Sequence, residues 1–345
     1  MKKTTKLLAL VLALAMLLSL FTACAAKQEA PAAEQTPAQT EPQPETEAPA
    51  EETPVEEEPA EEAPAAEEEA STAITLTDMT GREITLDEPA TRIVALTPSD
   101  CEILYALGAG ELLVGRGTYC DYPAEVTEVT VVESGSDTNI EQIVALEPQV
   151  LLMSTMSQTE EQVQQLEAAG VHVVVSDAQD IAGVYTAIEM IGTLVGKQAE
   201  AEALCASMQA TFDTLAETAT GDGSETVYFE VSPLEYGLWA AGTGTFMDEI
   251  ANLIGLTNCF ADVAGWSAVS EEQVLERNPD YIVTISMYFG EGPTPEEEIL
   301  GRTGWENVTA VKNGKILNLQ NNELSRPAPR LAEGAQALYD FVYGE

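Results

Sequence analysis

Histidine is nearly missing from the 345 residues, and the single one, His172, sits in the run Val171-His172-Val173-Val174-Val175. One histidine excludes a three-histidine metal cage and any nucleophile–histidine pair built on another histidine. On so apolar a strand His172 reads as a packed core side chain. Basic residues are scarce as well. Residues 72–345 hold 44 Asp and Glu against 10 Lys and Arg, a net charge of −34. That balance argues against nucleic acid and phosphate-rich partners. Cysteine is sparse and irregularly spaced, so no zinc pattern exists. No Gly-Lys-Ser/Thr phosphate loop occurs, and no Gly-x-Gly-x-x-Gly follows a strand. These absences together point to a non-catalytic protein without a metal centre.

Long apolar runs are lacking too. The longest, Leu7–Leu20, follows Lys2, Lys3 and Lys6 and is short for a membrane span. It ends in Leu20-Phe21-Thr22-Ala23-Cys24. Small residues just before a cysteine resemble a bacterial lipobox, which implies a signal peptide over 1–23 and a lipidated Cys24. Residues 25–71 are almost entirely Ala, Pro, Glu, Thr and Gln, with 15 Glu, one Lys and no aromatic residue. Such a segment buries too little apolar surface to fold, so 24–71 is expected to be a lipidated, acidic tether. The chain is therefore expected at the extracytoplasmic face of a cell membrane.

What remains is an alternating pattern. Residues 74–77 and 83–86 alternate at period two around Thr80-Gly81, a hairpin signature. Strands are expected at 92–96, 112–115, 129–133, 150–153 and 172–175. Helices are expected at 101–109 (capped by Ser99 or Asp100), 139–147, 159–169 and 180–195. Residues 198–218 contain no Pro or Gly, and Leu204, Met208, Phe212 and Leu215 share one helical face. After Gly221-Asp222-Gly223 the pattern resumes, with strands at 226–231, 281–286 and 315–319 and helices at 245–254, 270–277 and 328–342. A Gly- and Pro-rich loop separates the last two strands. Gly242-Thr243-Gly244 is expected to open the helix at 245, where free amides could hold an anion or the turn could simply be tight. The domains are thus 72–197, a helix over 198–220, and 221–345. Of the remaining cysteines, Cys205 reads as a buried free thiol. A Cys101–Cys120 bridge stays open, and Cys259 has no assigned partner.

Several segments taken in order resemble the ABC-importer binding proteins that take cobalamin, haem, ferric siderophores or metal ions. They are Thr77-Asp78-Met79-Thr80-Gly81-Arg82, Arg92-Ile93-Val94-Ala95-Leu96-Thr97-Pro98, Glu102 to Gly108, Leu146-Glu147-Pro148-Gln149-Val150 and Ser325-Arg326-Pro327-Ala328-Pro329-Arg330. The resemblance implies an α/β fold of two Rossmann-like lobes joined by a long rigid backbone helix. Within that family Gly117-Thr118-Tyr119-Cys120-Asp121-Tyr122-Pro123, and Phe260-Ala261-Asp262 with Trp266, look most like the cobalamin receptors. The implied ligand is a corrinoid in the inter-lobe cleft, walled by Thr97, Pro98, Ser99, Tyr119, Trp239, Trp266, Asn322 and Arg326. The chain departs from those receptors at Ser134-Gly135-Ser136 and Ser154-Thr155-Met156, where they carry aromatic residues. Fewer aromatic surfaces point to a roomier or more polar pocket, or to a cobamide relative such as cobinamide.

The resemblance also implies a permease partner, with Glu141 and Glu272 as its docking carboxylates, and a monomer. Each glutamate opens a predicted helix, where the helix dipole alone would favour it. Alternatives remain. Haem would need an axial ligand from Tyr119, Tyr122 or Met156. A ferric siderophore receptor is the other member of that class. A tethered surface enzyme or adhesion module is disfavoured by the two-lobe pattern. Trp305 reads as structural.

Overall fold

The computed structural model describes residues 73–344, apart from 136–137, 156–158, 289 and 321. The expectations for the signal segment, Cys24 and the tether, and those for Ser136 and Met156, lie outside the described residues.

Strands β1 (Ile74–Thr77) and β2 (Glu83–Leu86) pair antiparallel, with Ile74 opposite Leu86. Asp78 holds their turn by accepting from the Thr80 and Arg82 amides at 3.0 Å each. The first large sheet contains β3 (Ile93–Ala95), β4 (Leu113–Gly117), β5 (Val131–Val132), β6 (Val150–Met153) and β7 (His172–Val175). Its order is β5-β4-β3-β6-β7 and every pairing is parallel. Every residue of β3 and β6 is buried, as a parallel strand covered on both faces requires. Helices α1 (Pro98–Ala106), α2 (Ile140–Ala145) and α3 (Glu160–Ala168) return the chain between strands, and α4 (Ile181–Leu194) follows the last of them.

Two expectations in this lobe need correction. His172 is exposed, because it opens the edge strand β7 and only the three residues after it are buried. Helix α1 begins at Pro98 and not at 101, and its N-cap is Thr97. Proline is suited to a first helical turn because its missing N–H has no partner there anyway.

Helix α5 (Gln198–Thr218) follows and buries Ala201, Met208, Phe212 and Leu215. At 1.5 Å per residue it is about 30 Å long. The second sheet contains β8 (Thr226–Ser232), β9 (Trp239–Ala241), β10 (Thr257–Asn258), β11 (Trp266–Ala268), β12 (Tyr281–Thr284) and β13 (Ile316–Asn318). Its main path is β11-β9-β8-β12-β13, with β10 also on β8. β8, β12 and β13 are parallel, while β9 and β11 form an antiparallel ribbon at one edge. Helices α6 (Phe246–Leu253), α7 (Glu271–Arg277), α8 (Pro295–Leu300), α9 (Thr309–Asn313) and α10 (Leu331–Tyr343) complete the lobe. The Gly- and Pro-rich stretch expected as loop therefore contains two short helices. The last helix starts at 331 because Pro327 and Pro329 precede it.

The two sheets share a core. One apolar cluster runs from Ile93, Ala95 and Leu152 on one face of the first sheet to Phe229 and Val283 on the second. It passes through Ile188 of α4, Phe212 of α5, Ile250 of α6 and Leu338 of α10. The opposite faces have separate clusters, around Val94, Leu151 and Val173 in one lobe and Tyr228, Ile282 and Trp305 in the other. Trp305 is fully buried, and its Nε1 donates to Glu271 Oε2 at 2.9 Å, which is a structural role. The guanidinium of Arg302 lies 4.6 Å from the Trp305 ring centroid and pairs with buried Glu230 at 2.7 Å. Burial raises the Glu230 carboxyl above its ordinary value while Arg302 opposes that rise.

Candidate ligand cleft

In open parallel sheets, ligand crevices form beyond the carboxyl ends of the strands. Both sheets here direct those ends to one cleft of about 350 Å³. The first lobe contributes Thr97, Pro98 and Ser99 after β3, Ser154 after β6, and Ser176, Asp177, Ala178 and Gln179 after β7. The second contributes Val231 of β8, Ile285 after β12, Phe246, Trp266 and Ser325-Arg326-Pro327. One wall therefore bears hydroxyl, amide and carboxyl groups and the other is largely apolar. A larger groove of about 670 Å³ lies among Tyr105, Tyr122, Met208 and Arg330. It stands away from the strand ends, which is why the smaller cleft is the better candidate.

The apolar wall is built by the edge ribbon. Trp266 pairs with Ala241 across β9–β11 and packs its ring 5.3 Å from that of Phe246, at 57°. Trp266 Nε1 donates to Gln179 Oε1 of the other lobe at 3.0 Å. Two more bonds cross beside it, from Phe246 N to Gln179 O at 2.9 Å and from Ile181 N to Glu249 Oε2 at 2.8 Å.

Gly242-Thr243-Gly244 does not open the helix. Thr245 caps α6, and the amides of Gly242 and Thr243 donate to Gly265 O and Val263 O at 2.8 and 2.7 Å. The amides of Gly242 and Thr243 are thus already committed, and the anion-holding reading falls. A Cβ on Gly242 would stand 2.1 Å from Val263 O, so this close approach is what the glycine permits.

A second set of contacts joins the lobes at Glu102, a residue of α1 only 3% exposed. Its Oε1 accepts from Arg326 Nη1 at 2.9 Å and from Arg330 Nη2 at 2.7 Å, and its Oε2 accepts from Arg330 Nε at 2.9 Å. Arg326 Nη1 also donates to Asp121 Oδ1 at 2.7 Å, and its Nη2 to Tyr119 O at 3.3 Å. Burial works against the Arg326 charge, but Asp121 and Glu102 hold its pKa above the ordinary value. Arg330 lies 3.8 Å from the Tyr122 ring centroid. Arg326 lines the cleft, yet its charge serves this inter-lobe clamp.

Of the residues expected at the wall, Thr97, Pro98, Ser99, Trp266 and Arg326 meet in the cleft. Tyr119, Trp239 and Asn322 are outside its lining. Tyr119 is 75% exposed at the rim, one residue from Cys120, and only its carbonyl reaches the clamp. Trp239 is opposite Ala268, at the other end of the ribbon from Trp266, and is 41% exposed. Asn322 lines a separate depression with Asp121, Met287 and Arg330. Cys101 and Cys120 are both buried and free, and each thiol reaches Ala95 O at 3.9 Å. Cys205 and Cys259 are free and half-buried.

Sequence reading missed Ser154, Ser176, Asp177, Gln179, Val231, Phe246 and Ile285. Ser154 and Ser176 directly follow predicted strands, Asp177 and Gln179 share the second of those loops, and Val231 and Ile285 lie at the carboxyl ends of predicted strands, so the strand-end rule would have found all but Phe246. Beneath this wall Asp100 is fully buried. Burial pushes its carboxyl up to about 7, against hydrogen bonds from Thr97 and Ser176, and nearby Asp177 raises it further.

Glu141 and Glu272 each occupy the second position of a helix, in α2 and α7. The caps are alike, with Asn139 accepting from Gln142 N at 3.0 Å and Ser270 from Gln273 N at 3.3 Å. Both glutamates are exposed. The Glu272 carboxyl is held below its ordinary value by its own backbone amide and by the Ser270 hydroxyl.

Among the described residues no helix is long and apolar enough to cross a membrane, and no cluster of His, Cys, Asp and Glu is arranged to hold a metal ion. The periplasmic binding protein family matches residues 93–323. An uncharacterized ABC transporter substrate-binding lipoprotein of Bacillus subtilis, YvrC, is 34% identical over 276 residues, covering 78% of this chain and 85% of that protein. A vitamin B12-binding protein of Pectobacterium carotovorum is 27% identical, covering 72% of this chain and 86% of its own length. The crystal structure of a possible iron-binding, periplasmic solute-binding protein of Staphylococcus epidermidis superposes with a TM-score of 0.62 at 31% identity, covering 74% of this chain and 100% of that one. The chain belongs to the periplasmic binding protein family, and it is a non-catalytic, extracytoplasmic substrate-binding component of an ABC transporter.

Proposed function

We propose that the chain captures a corrinoid in the cleft and delivers it to an importer permease. The observation that carries this reading is the apposition of the Phe246–Trp266 pair and a wall of hydroxyl and amide groups. A corrin offers a broad apolar face and an amide-bearing rim, which such a pair of walls suits. The relative that bears the name vitamin B12-binding protein supports the same ligand. The cleft is near the lower bound for small-molecule sites. A corrin is larger, so part of it stays outside, against the rim where Tyr119 is exposed.

Ultraviolet–visible titration with cyanocobalamin, dicyanocobinamide and haemin, each followed by gel filtration, tests the ligand. Stoichiometric co-elution of a corrinoid is expected, with affinity at least about tenfold weaker in Trp266→Ala. A Soret shift with haemin alone would replace the reading by haem. Tyr119, exposed at the rim, is then the side chain to mutate as axial ligand. A response to neither would turn the search to ferric siderophores.

The membrane anchor in this reading is a lipid on Cys24, consistent with the lipoprotein name of the Bacillus relative. Glu141 and Glu272 dock the two lobes to the permease, as their like caps and exposure suit. Mass measurement of the mature N-terminus tests the first, and an unmodified Cys24 would refute it.

A further inference from the structure

Nearly every cation of residues 72–345 is already engaged. Arg82, Lys197, Arg277, Arg302, Lys315, Arg326 and Arg330 stand in ion pairs. Arg92 donates to the carbonyls of Glu147 and Leu146, and Arg116 to those of Cys120 and Thr127. Only Lys312 remains of the ten, exposed on α9 and absent from the cleft lining. The undescribed positions between 73 and 344 include neither Lys nor Arg.

The cleft holds acid instead. Asp177 lines it, accepting from the Thr155 hydroxyl and, at 3.3 Å, from Gln179 Nε2. Asp100 lies beneath, bonded by the Thr97 hydroxyl. The one cation in the lining, Arg326, is shared between Glu102 and Asp121. A carboxylate entering this space would lose water, meet Asp177, and find no uncommitted positive partner.

We propose that the cleft admits uncharged or cationic solutes and rejects carboxylate-bearing ones, and that Asp177 is the residue that sets this preference. The inference rests on the cleft being the ligand site. It deepens the corrinoid reading, because a corrinoid that lacks its nucleotide keeps the positive charge of cobalt without a compensating phosphodiester. The expected order is therefore aquocyanocobinamide, then cyanocobalamin, then the monocarboxylic acid made from cyanocobalamin by hydrolysing one amide.

Two measurements on the full chain test this. The first needs no ligand. In a Trp239→Phe background, with Trp305 fully buried, collisional quenchers report on Trp266. Asp177→Asn is expected to raise the iodide quenching constant about twofold or more and to lower that of caesium, since a unit charge is removed at close range. Unchanged constants would overturn the proposal. The second compares cyanocobalamin with its monocarboxylic acid, nearly identical in size. The acid is expected to bind at least about tenfold more weakly, a difference of about 1.4 kcal/mol, and Asp177→Asn to narrow the gap. Equal affinities would overturn the charge rule and leave the corrinoid reading intact. Should neither corrinoid bind, haemin is compared with its dimethyl ester. Binding of the ester alone keeps the rule and removes the corrinoid reading, while haemin binding as tightly as the ester removes the rule.

Discussion

Replacing Glu102 by Gln removes the charge at the centre of the inter-lobe clamp while nearly preserving shape. In the native chain Glu102 accepts three guanidinium bonds at 2.7 to 2.9 Å and is buried. Arg326 would keep Asp121, whose side chain is 53% exposed and thus a weakened partner. Arg330 would keep one of its two bonds to residue 102, and the Tyr122 ring. Breaking a buried pair typically costs about 3–5 kcal/mol, because the surviving charge stays desolvated. Against a total stability of about 5–15 kcal/mol that is a large share. Urea denaturation followed by far-ultraviolet dichroism reads it directly, with a loss of about 3 kcal/mol expected for Glu102→Gln. The double variant Glu102→Gln with Arg330→Gln is expected to lose about 1–3 kcal/mol less than the sum of the singles. A Glu102→Gln loss below about 1 kcal/mol, with additive singles, would refute the clamp as a source of stability.

Three further outcomes follow from other sites. Asp100 titrates near 7 in the fold against 3.8 unfolded, so the native state binds the extra proton between those values and stability falls as pH rises through them. Asp100→Asn should flatten that slope and gain up to about 4 kcal/mol at pH 8, read from denaturation midpoints at pH 4 to 8, and parallel curves would contradict it. Gly242→Ala pushes a methyl into Val263 O and should destabilise by about 1–3 kcal/mol while weakening ligand binding, checked by calorimetry and titration. Glu141→Arg with Glu272→Arg should leave ligand affinity intact and abolish uptake in a reconstituted importer, and unimpaired uptake would end the docking assignment.

Local patterns in the sequence revealed the parallel strands and α5 because each signal is self-contained. β6 is a four-residue apolar run, and α5 is a long stretch without Pro or Gly that buries Met208, Phe212 and Leu215 of its stripe. The edge ribbon was not legible. β9 and β11 are three residues each, too short for a period, and the connection between them carries α6 and β10 before Gly242 N meets Gly265 O. His172 misled because an edge strand can open on an exposed residue even when the residues after it are buried. The role of Arg326 was hidden by distance, since Glu102 is 224 residues away along the chain. A signal did exist there. A glutamate between Cys101 and Ile103, inside an apolar helix, needs a cation, and the chain has few to offer. Tyr119 and Trp239 were chosen by likeness to the family, which reports residue type and not the direction a side chain takes from its backbone.

The shared core has a consequence for how the molecule could be divided. All five strands of the first sheet precede α5 and all six of the second follow it, so the backbone passes between the lobes once. Cleavage at the Gly221–Gly223 turn would leave two polypeptides with no covalent tie, each exposing one side of the same apolar cluster. Neither half would be at ease alone, and their recombination would become a bimolecular equilibrium. Solute capture at the seam would then be readable as tighter association of two separate chains.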